Sequence, residues 1–246
     1  MNAELHRLSR PRRGLRAAIC LALATLCGNV RPDAAAPPAA EIQATITALE
    51  TTVATLETRI ARLRDLDELE NLHAIYGYYL DKAMWDPLTE IFSENATIEV
   101  AQRGVYVGKK RIREALELFG PQVLRSSHLH NHIQLQPVID VAADGQTAKM
   151  RSRALSQLGT HGQRGVWMGG VYENEFVKEN GIWKISKDHV YTTFSALYDK
   201  GWSIDPRPVP GISDKIPPDL PPSEVYQAFP GVYVPPYHYP PPVRER

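Results

Sequence analysis

Cysteine is almost missing from this chain: two in 246 residues, Cys20 and Cys27, both near the N-terminus. The segment around them reads as an export signal. Arg7, Arg10, Arg12, Arg13 and Arg16 form a basic leader. The apolar run AAICLALATLCG follows, too short to span a bilayer, and then the small residues of RPDAAAPPAA. Removal of this segment leaves no cysteine, which excludes a disulfide and a thiol nucleophile. The expected location is periplasmic or secreted. Arg12-Arg13 could instead mark a twin-arginine signal, and Cys27 a lipid-modified cysteine, although Leu26 is larger than such sites favour. A retained N-terminal helix in the cytoplasm is the remaining option.

Net charge is also absent, with 28 basic against 28 acidic residues. Such a balance gives no electrostatic case for nucleic acid or an anionic membrane surface as a partner. There is no glycine-rich phosphate loop ahead of a helix and no G-x-S-x-G elbow, so nucleotide-dependent and acyl-enzyme chemistry are disfavoured. Proline, by contrast, is abundant: twenty residues, thirteen of them between Asp205 and Arg246. Residues 199–246 therefore form a compositionally separate tail with four tyrosines. Its prolines imply extended segments, and its aromatic content favours docking on the domain or on a second subunit over disorder.

Residues 1–40 hold the signal and an Ala/Pro linker, and a heptad seam begins after them. Ile42, Ile46, Leu49, Val53, Leu56, Ile60 and Leu63 recur at alternating spacings of four and three. Residues 41–65 thus predict a coiled-coil-like helix, with branched residues at one seam position and mainly leucine at the other. This favours self-association into a dimer or trimer; an amphipathic helix lying on its own domain is the alternative. At Leu66 the register slips and the helix runs on into HAIYGYYLDKAMWDPLTEIF, where Asp86 can cap a short second helix at Pro87. A strand or hairpin (ATIEVAQRGVYVG), a helix (KKRIREALELFG) and four long strands from Arg125 onward complete residues 66–198. Helices followed by consecutive strands predict an α+β domain, a cone-shaped curved antiparallel sheet wrapped on its helices with a cavity between them.

Asp81 falls at the edge of the stripe made by His73, Tyr76, Leu80 and Met84, where a carboxylate is costly unless paired. It could hold an imidazole across the cavity as an acid–base pair, or simply pair locally at the helix edge. The candidate imidazoles are His128, His130 and His132, which alternate and so share one face of a strand, followed by Gln134 and Gln136. Two of the three could reach one metal ion, or one could serve as a base with the others nearer the mouth. The second reading is preferred, so neither metal nor cofactor is expected. His161 and His189 read as surface or internally satisfied histidines.

Together, YGYYLDKAMWDPLTEIF, the strand histidine after it and GVYENEFVKENGIWKI resemble the SnoaL-like branch of the nuclear transport factor 2-like superfamily, over about residues 60 to 195. That branch includes bile-acid 7α-dehydratase and scytalone dehydratase. The resemblance implies a cofactor-independent β-elimination. Tyr76 and Asp81 match the helix tyrosine and aspartate of the dehydratases, and His132 the strand base. By the same resemblance Trp85 and Trp167 line or buttress the pocket, and His128, His130, Tyr172 and Asn174 contact the substrate. The implied ligand is a hydrophobic, oxygenated small molecule. Ser156 and Thr192 stand where the bile-acid enzyme has an aspartate and an arginine, so a bile acid itself is not implied. A non-catalytic binding module on the same fold is the other expectation.

Overall fold

The computed structural model describes residues 38–237; the expected export signal, with both cysteines, and the tail beyond Tyr237 lie outside them. The chain divides after Thr55 into two units. In the first, the described residues from Ala39 onward are helical and exposed. The threonines there are tolerated because Thr45, Thr51 and Thr52 turn their hydroxyls back to carbonyls one turn earlier, each at 2.9 Å. Ile42, Ile46, Leu49 and Val53 stay exposed. Among the described residues no helix is long and apolar enough to cross a membrane.

Helix α1 spans Ala39–Asp81. In the second unit its seam residues Leu56, Ile60 and Leu63 are exposed, and burial starts only at Asp65. From there Leu69, Leu72, His73, Tyr76, Gly77 and Leu80 turn inward at helical spacing. The slip in hydrophobic register at Leu66 is the place where the buried stripe takes over. Asp65 anchors that first buried turn: it accepts the Trp183 indole N–H at 3.0 Å and pairs with Lys178.

Helix α2 (Trp85–Glu90) follows after a turn, then β1 (Phe92–Val100), β2 (Val105–Val107), α3 (Lys109–Leu116) and four strands: β3 (His128–Val141), β4 (Thr147–Thr160), β5 (Arg164–Glu179) and β6 (Ile182–Leu197). They form one six-stranded open sheet in the order β2-β1-β6-β5-β4-β3. Neighbours pair antiparallel except β1 and β6, which run parallel. The expected all-antiparallel sheet is corrected at that one seam. The β5–β6 turn has Asn180 and Gly181 both at positive φ (51° and 80°), the backbone that a tight hairpin matching the strand twist requires. The core between sheet and helices is filled by Leu69, Trp85, Leu88, Phe92, Ile98, Ile112, Leu116, Met150, Phe176 and Ile185. Each such side chain stabilises by about 1.5–3 kcal/mol on burial.

Asp86 does not cap α2. Met84 is its N-cap, with no side-chain bond. Asp86 sits inside the first turn and takes Arg113 Nε at 2.6 Å and Gln122 Nε2 at 3.0 Å instead. A carboxylate at that position still complements the helix dipole, and the arginine offers a stronger partner than a backbone amide.

The proline-rich tail docks on its own domain. Val105 and Leu220 exchange backbone bonds at 3.0 and 3.2 Å, and Arg207 N–H donates to the Ser195 carbonyl at 2.8 Å. Tyr226 and Tyr233 stack at 4.6 Å and pack on Tyr191. The Val105–Leu220 pairing extends the sheet at its β2 edge, where Ile216 packs against the core and accepts the Tyr106 hydroxyl at 2.7 Å and Asp219 takes Arg111 Nε at 2.9 Å. The aromatic end lies over the sheet face turned away from α1, where Glu99, buried, accepts the Ser223 N–H at 2.8 Å and pairs with its hydroxyl. Removing one donor from a buried carboxylate costs about 1.5–3 kcal/mol. Ser223→Ala is therefore expected to loosen the tail selectively, read as faster amide exchange over residues 206–237 with the exchange of β4 and β5 unchanged.

Candidate active site

The helix-facing side of the sheet meets the C-terminal half of α1 along the free edge of β3. Gly77 makes this approach possible. A Cβ built there would lie 3.0 Å from Gln134 Cγ and 3.2 Å from the His132 carbonyl oxygen. One helical turn on, Asp81 reaches the same strand. Its Oδ1 accepts the His132 backbone N–H at 2.6 Å and lies 3.2 Å from His132 Nδ1. Both side chains are mostly buried, at 15% and 13% exposure. With Nδ1 carrying its hydrogen toward the carboxylate, Nε2 is left as the basic nitrogen. The shorter contact is to the backbone: Asp81 fixes the strand edge as well as the ring.

Beside this pair, alternate residues of neighbouring strands bring further polar groups to the same face. Gln134, two residues along β3 from His132, has Nε2 3.5 Å from the Tyr172 hydroxyl. Tyr172 packs edge-on to Tyr76, with centroids 5.9 Å apart. The Tyr76 hydroxyl donates to Asp188 Oδ2 at 2.8 Å. Asp188 is fully buried, and burial pushes its carboxyl up to about 7, against the opposing pull of Tyr76 and Asn174. Asn174 uses its Oδ1 to hold the His189 N–H at 3.1 Å. Asp188 Oδ1 and Asn174 Nδ2 are buried without a partner of good geometry, as are His130 Nδ1 and Gln134 Oε1. Burial first, and then the Asp188 charge, raise both tyrosine hydroxyls. A turn before Tyr76, His73 Nε2 lies 2.8 Å from Ser152 Oγ, and burial lowers its imidazole to about 4, keeping it neutral.

The structure thus brings Tyr76, Asp81, His130, His132, Tyr172 and Asn174 into one region and leaves three expected residues outside it. Trp85 is fully buried and bonds the Gly120 carbonyl at 2.9 Å, which makes it a buttress and not a wall. His128 is exposed, its Nδ1 3.2 Å from the Ser126 carbonyl. Four strand residues separate it from His132, roughly 13 Å. Trp167 stacks on Tyr198, and with His128 it borders an open hollow of about 650 Å³ at the β4–β5 end of the sheet. The histidines do not converge. His130 and His132 rings stand edge-on at 6.1 Å, and among the described residues no group of three or more His, Cys, Asp or Glu could hold a metal ion. The row of inward polar residues ends at Gln134, because a bulge between Leu135 and Val138, with Gln136 at φ 52°, breaks the alternation.

Asp188 was not foreseen from the sequence. Trp183 and Ile185 face the core, so strict alternation turns Asp188 outward. A bulge between the Phe176–Ile185 and Glu175–Lys187 pairs shifts β6 by one residue and brings Asp188 in. His189 turns to the other face, buried and stacked on Tyr191 at 4.0 Å.

With this geometry established, comparison with known proteins is informative. Residues 61–189 match the SnoaL-like domain. The chain belongs to the SnoaL-like family. Solved structures share the fold: a protein of Novosphingobium aromaticivorans DSM 12444, provisionally assigned as a scytalone dehydratase, is 22% identical over 57% of this chain and 91% of its own, with a TM-score of 0.51. The hexachlorocyclohexane dehydrochlorinase LinA is 17% identical over 57% of this chain and 93% of its own, with a TM-score of 0.51. Its type 2 form is also 17% identical, covering 56% and 92%, with a TM-score of 0.50. No protein of curated function matches the chain.

The close approach at Gly77 gives a direct test. Gly77→Ala gains about 1 kcal/mol of helix propensity, but its methyl group meets strand backbone at the His132 carbonyl, and overpacking costs about 1–3 kcal/mol. The variant is expected to melt at or below the wild-type temperature, with the largest amide-exchange increase in β3 around His132.

Proposed function

We propose that this SnoaL-like protein is an exported, cofactor-independent dehydratase or isomerase acting on a hydrophobic, oxygenated small molecule. The observation that carries the reading is the contact of Asp81 with both the backbone N–H and the ring of His132, on a mostly buried face beside two tyrosine hydroxyls. His132 Nε2 takes a proton from carbon next to a carbonyl or similar activating group. The electron pair of that C–H bond forms the new C=C bond as the C–O bond to the leaving hydroxyl breaks. The imidazolium returns its proton to that oxygen, and water leaves. Asp81 holds the ring in the required tautomer and offsets its positive charge, while a tyrosine hydroxyl polarises the activating oxygen. For an isomerisation the same proton returns to a different carbon. The fold-level similarity to a dehydrochlorinase and to a protein assigned as a dehydratase supports an elimination, as analogy.

A ligand-binding module on the same fold is the second reading, favoured by the way Tyr76 spends its hydroxyl internally on Asp188. The heptad stripe supports self-association in either case. Its residues from Ile42 to Leu63 are exposed, and their a/d pattern suits a second copy of the same helix. The Arg-rich leader and apolar run that precede it support export to the periplasm or beyond.

A panel of steroid-like, polyketide-like and aromatic oxygenated compounds, screened by thermal shift against wild type, Asp81→Asn and His132→Ala, tests the catalytic reading. Binders raise the melting temperature of wild type and variants. A substrate is turned over by wild type and about 10²–10⁴-fold more slowly by His132→Ala; stabilisation without turnover by any form selects the binding module. Leu49→Lys with Leu56→Lys is expected to lower the sedimentation mass while leaving the SnoaL-like domain's melting temperature unchanged, and an unchanged mass removes the coil as the association element.

A further inference from the structure

The hollow of about 650 Å³ at the β4–β5 end of the sheet has no place in the proposed reaction. Strand register locates it. His132 pairs with Ser156 on the side that meets α1. The next row, Asn131, Gln157 and Trp167, therefore points to the opposite face, and so does the row of Leu129, Gly159 and Gly165. Tyr198 joins that second row through its N–H, which donates to the Gly165 carbonyl at 2.9 Å. The aromatic end of the tail covers the same face elsewhere, at Tyr191 and Arg151. Among the described residues none beyond Tyr198 lines the hollow.

Its wall is aromatic, open and free of acid. The Trp167 and Tyr198 rings lie 21° from parallel with centres 6.4 Å apart. Tyr198 is 70% exposed and Leu129 52%. Gly159, Gly162 and Gly165 keep the floor free of side chains. Arg164, His128 and His161 border the space, and among the described residues no aspartate or glutamate does. Arg164, at the hairpin tip, is exposed and has no ion pair among the described residues. The Asn131 amide donates to Gln157 Oε1, so the Gln157 NH2 is the half left to donate beside Trp167.

We propose that the hollow is a second ligand site, for an aromatic carboxylate of two or more rings, whose ring system lies against Trp167 and Tyr198 and whose anionic end is met by Arg164 and the Gln157 amide. Each part of that ligand answers a feature of the wall. A cavity of about 150 Å³ holds one benzene, so this volume takes several rings, within the roughly 300–1,000 Å³ usual for ligand sites. Stacking on an indole or a phenol favours a flat π system over a saturated one. One guanidinium, two imidazoles and no carboxylate favour an anion, and the planar fork of an arginine matches both oxygens of a carboxylate. The site does not rest on the proposed reaction, because the sheet lies between Trp167 and His132.

The probe is 2-naphthoate, titrated into the ¹⁵N-labelled full chain and followed by NMR. The Trp167 indole N–H and the amides of Gly159, Gly162, Gly165 and Tyr198 are expected to shift together and saturate, while the buried Trp85 and Trp183 indoles stay in place. Methyl 2-naphthoate lacks the charge, and decalin-2-carboxylate lacks the π system. Each is expected to bind about three- to tenfold more weakly. Arg164→Gln should abolish the preference for the acid over its ester while keeping the shift at Trp167. Trp167→Phe assigns the indole resonance, and Trp167→Ala should weaken binding about tenfold. Arg164 is exposed at a turn, so its variant decides even where Trp167→Ala does not fold. Equal affinity for acid and ester in wild type, or no saturable shift at millimolar probe, overturns the inference. So does a shift centred on β3 amides near His132, which puts the probe on the helix-facing side. Movement of the hollow's resonances with protein concentration alone makes the face an interface between copies and overturns it as well.

Discussion

The structure depends on one constraint: a helix laid against the open edge of a sheet. Strand β3 ends the strand order, so one row of its backbone groups has no strand to pair with. An exposed row of that kind is a liability for association. Helix α1 meets that edge at its middle, coming close because Gly77 lacks a side chain and finishing the contact with the Asp81 carboxylate on the His132 N–H. The same carboxylate oxygen then lies beside the imidazole. Structure and proposed chemistry thus share one atom. The contact that ties the helix to the edge also orients the candidate base, which is why Asp81 can serve the fold and a reaction at once.

The two faces of the sheet divide the work. The helix-facing side holds the Asp81–His132 contact, Tyr76 and Tyr172 packed edge-on, and Asp188, in surroundings that keep His73 neutral and raise the Asp188 carboxyl. The opposite side holds a second polar set, including Glu99, His189, Tyr191, Arg151 and Glu173, and the tail lies over it through Ser223, Tyr226, Tyr233 and Pro235. Glu99 is held by the tail's Ser223, and Arg151 by the Pro235 carbonyl as well as by Glu173.

Much of this was legible in the residues. The heptad run, the switch at Leu66 and the inward stripe through Tyr76 follow from the spacing of apolar residues, and alternation placed the strand histidines on one face. The meeting of Asp81 with His132 came from the family resemblance, since periodicity alone left a local pairing of Asp81 open. What failed to show were departures from period. The β6 bulge reverses the facing of Asp188 and His189, and the β3 bulge ends the polar row at Gln134. A one-residue slip leaves no mark in composition, yet it exchanges the inside of a strand for its outside. The parallel β1–β6 pairing was hidden for a related reason: it joins strands far apart in the chain, and no turn residue announces it.

Sequence alone determined the order of secondary elements, the place where the apolar stripe changes register and membership of an α+β class, because those rest on local spacing and on turn chemistry. Tertiary structure decided which polar groups meet. It chose Asp188 as the partner of Tyr76, set His128 and Trp167 apart from His132, and laid the aromatic end of the tail on the outer face. Such pairings depend on bulges, on close approach at a single glycine and on burial that raises or lowers a proton affinity, and each of these exists only once distant segments have packed against one another.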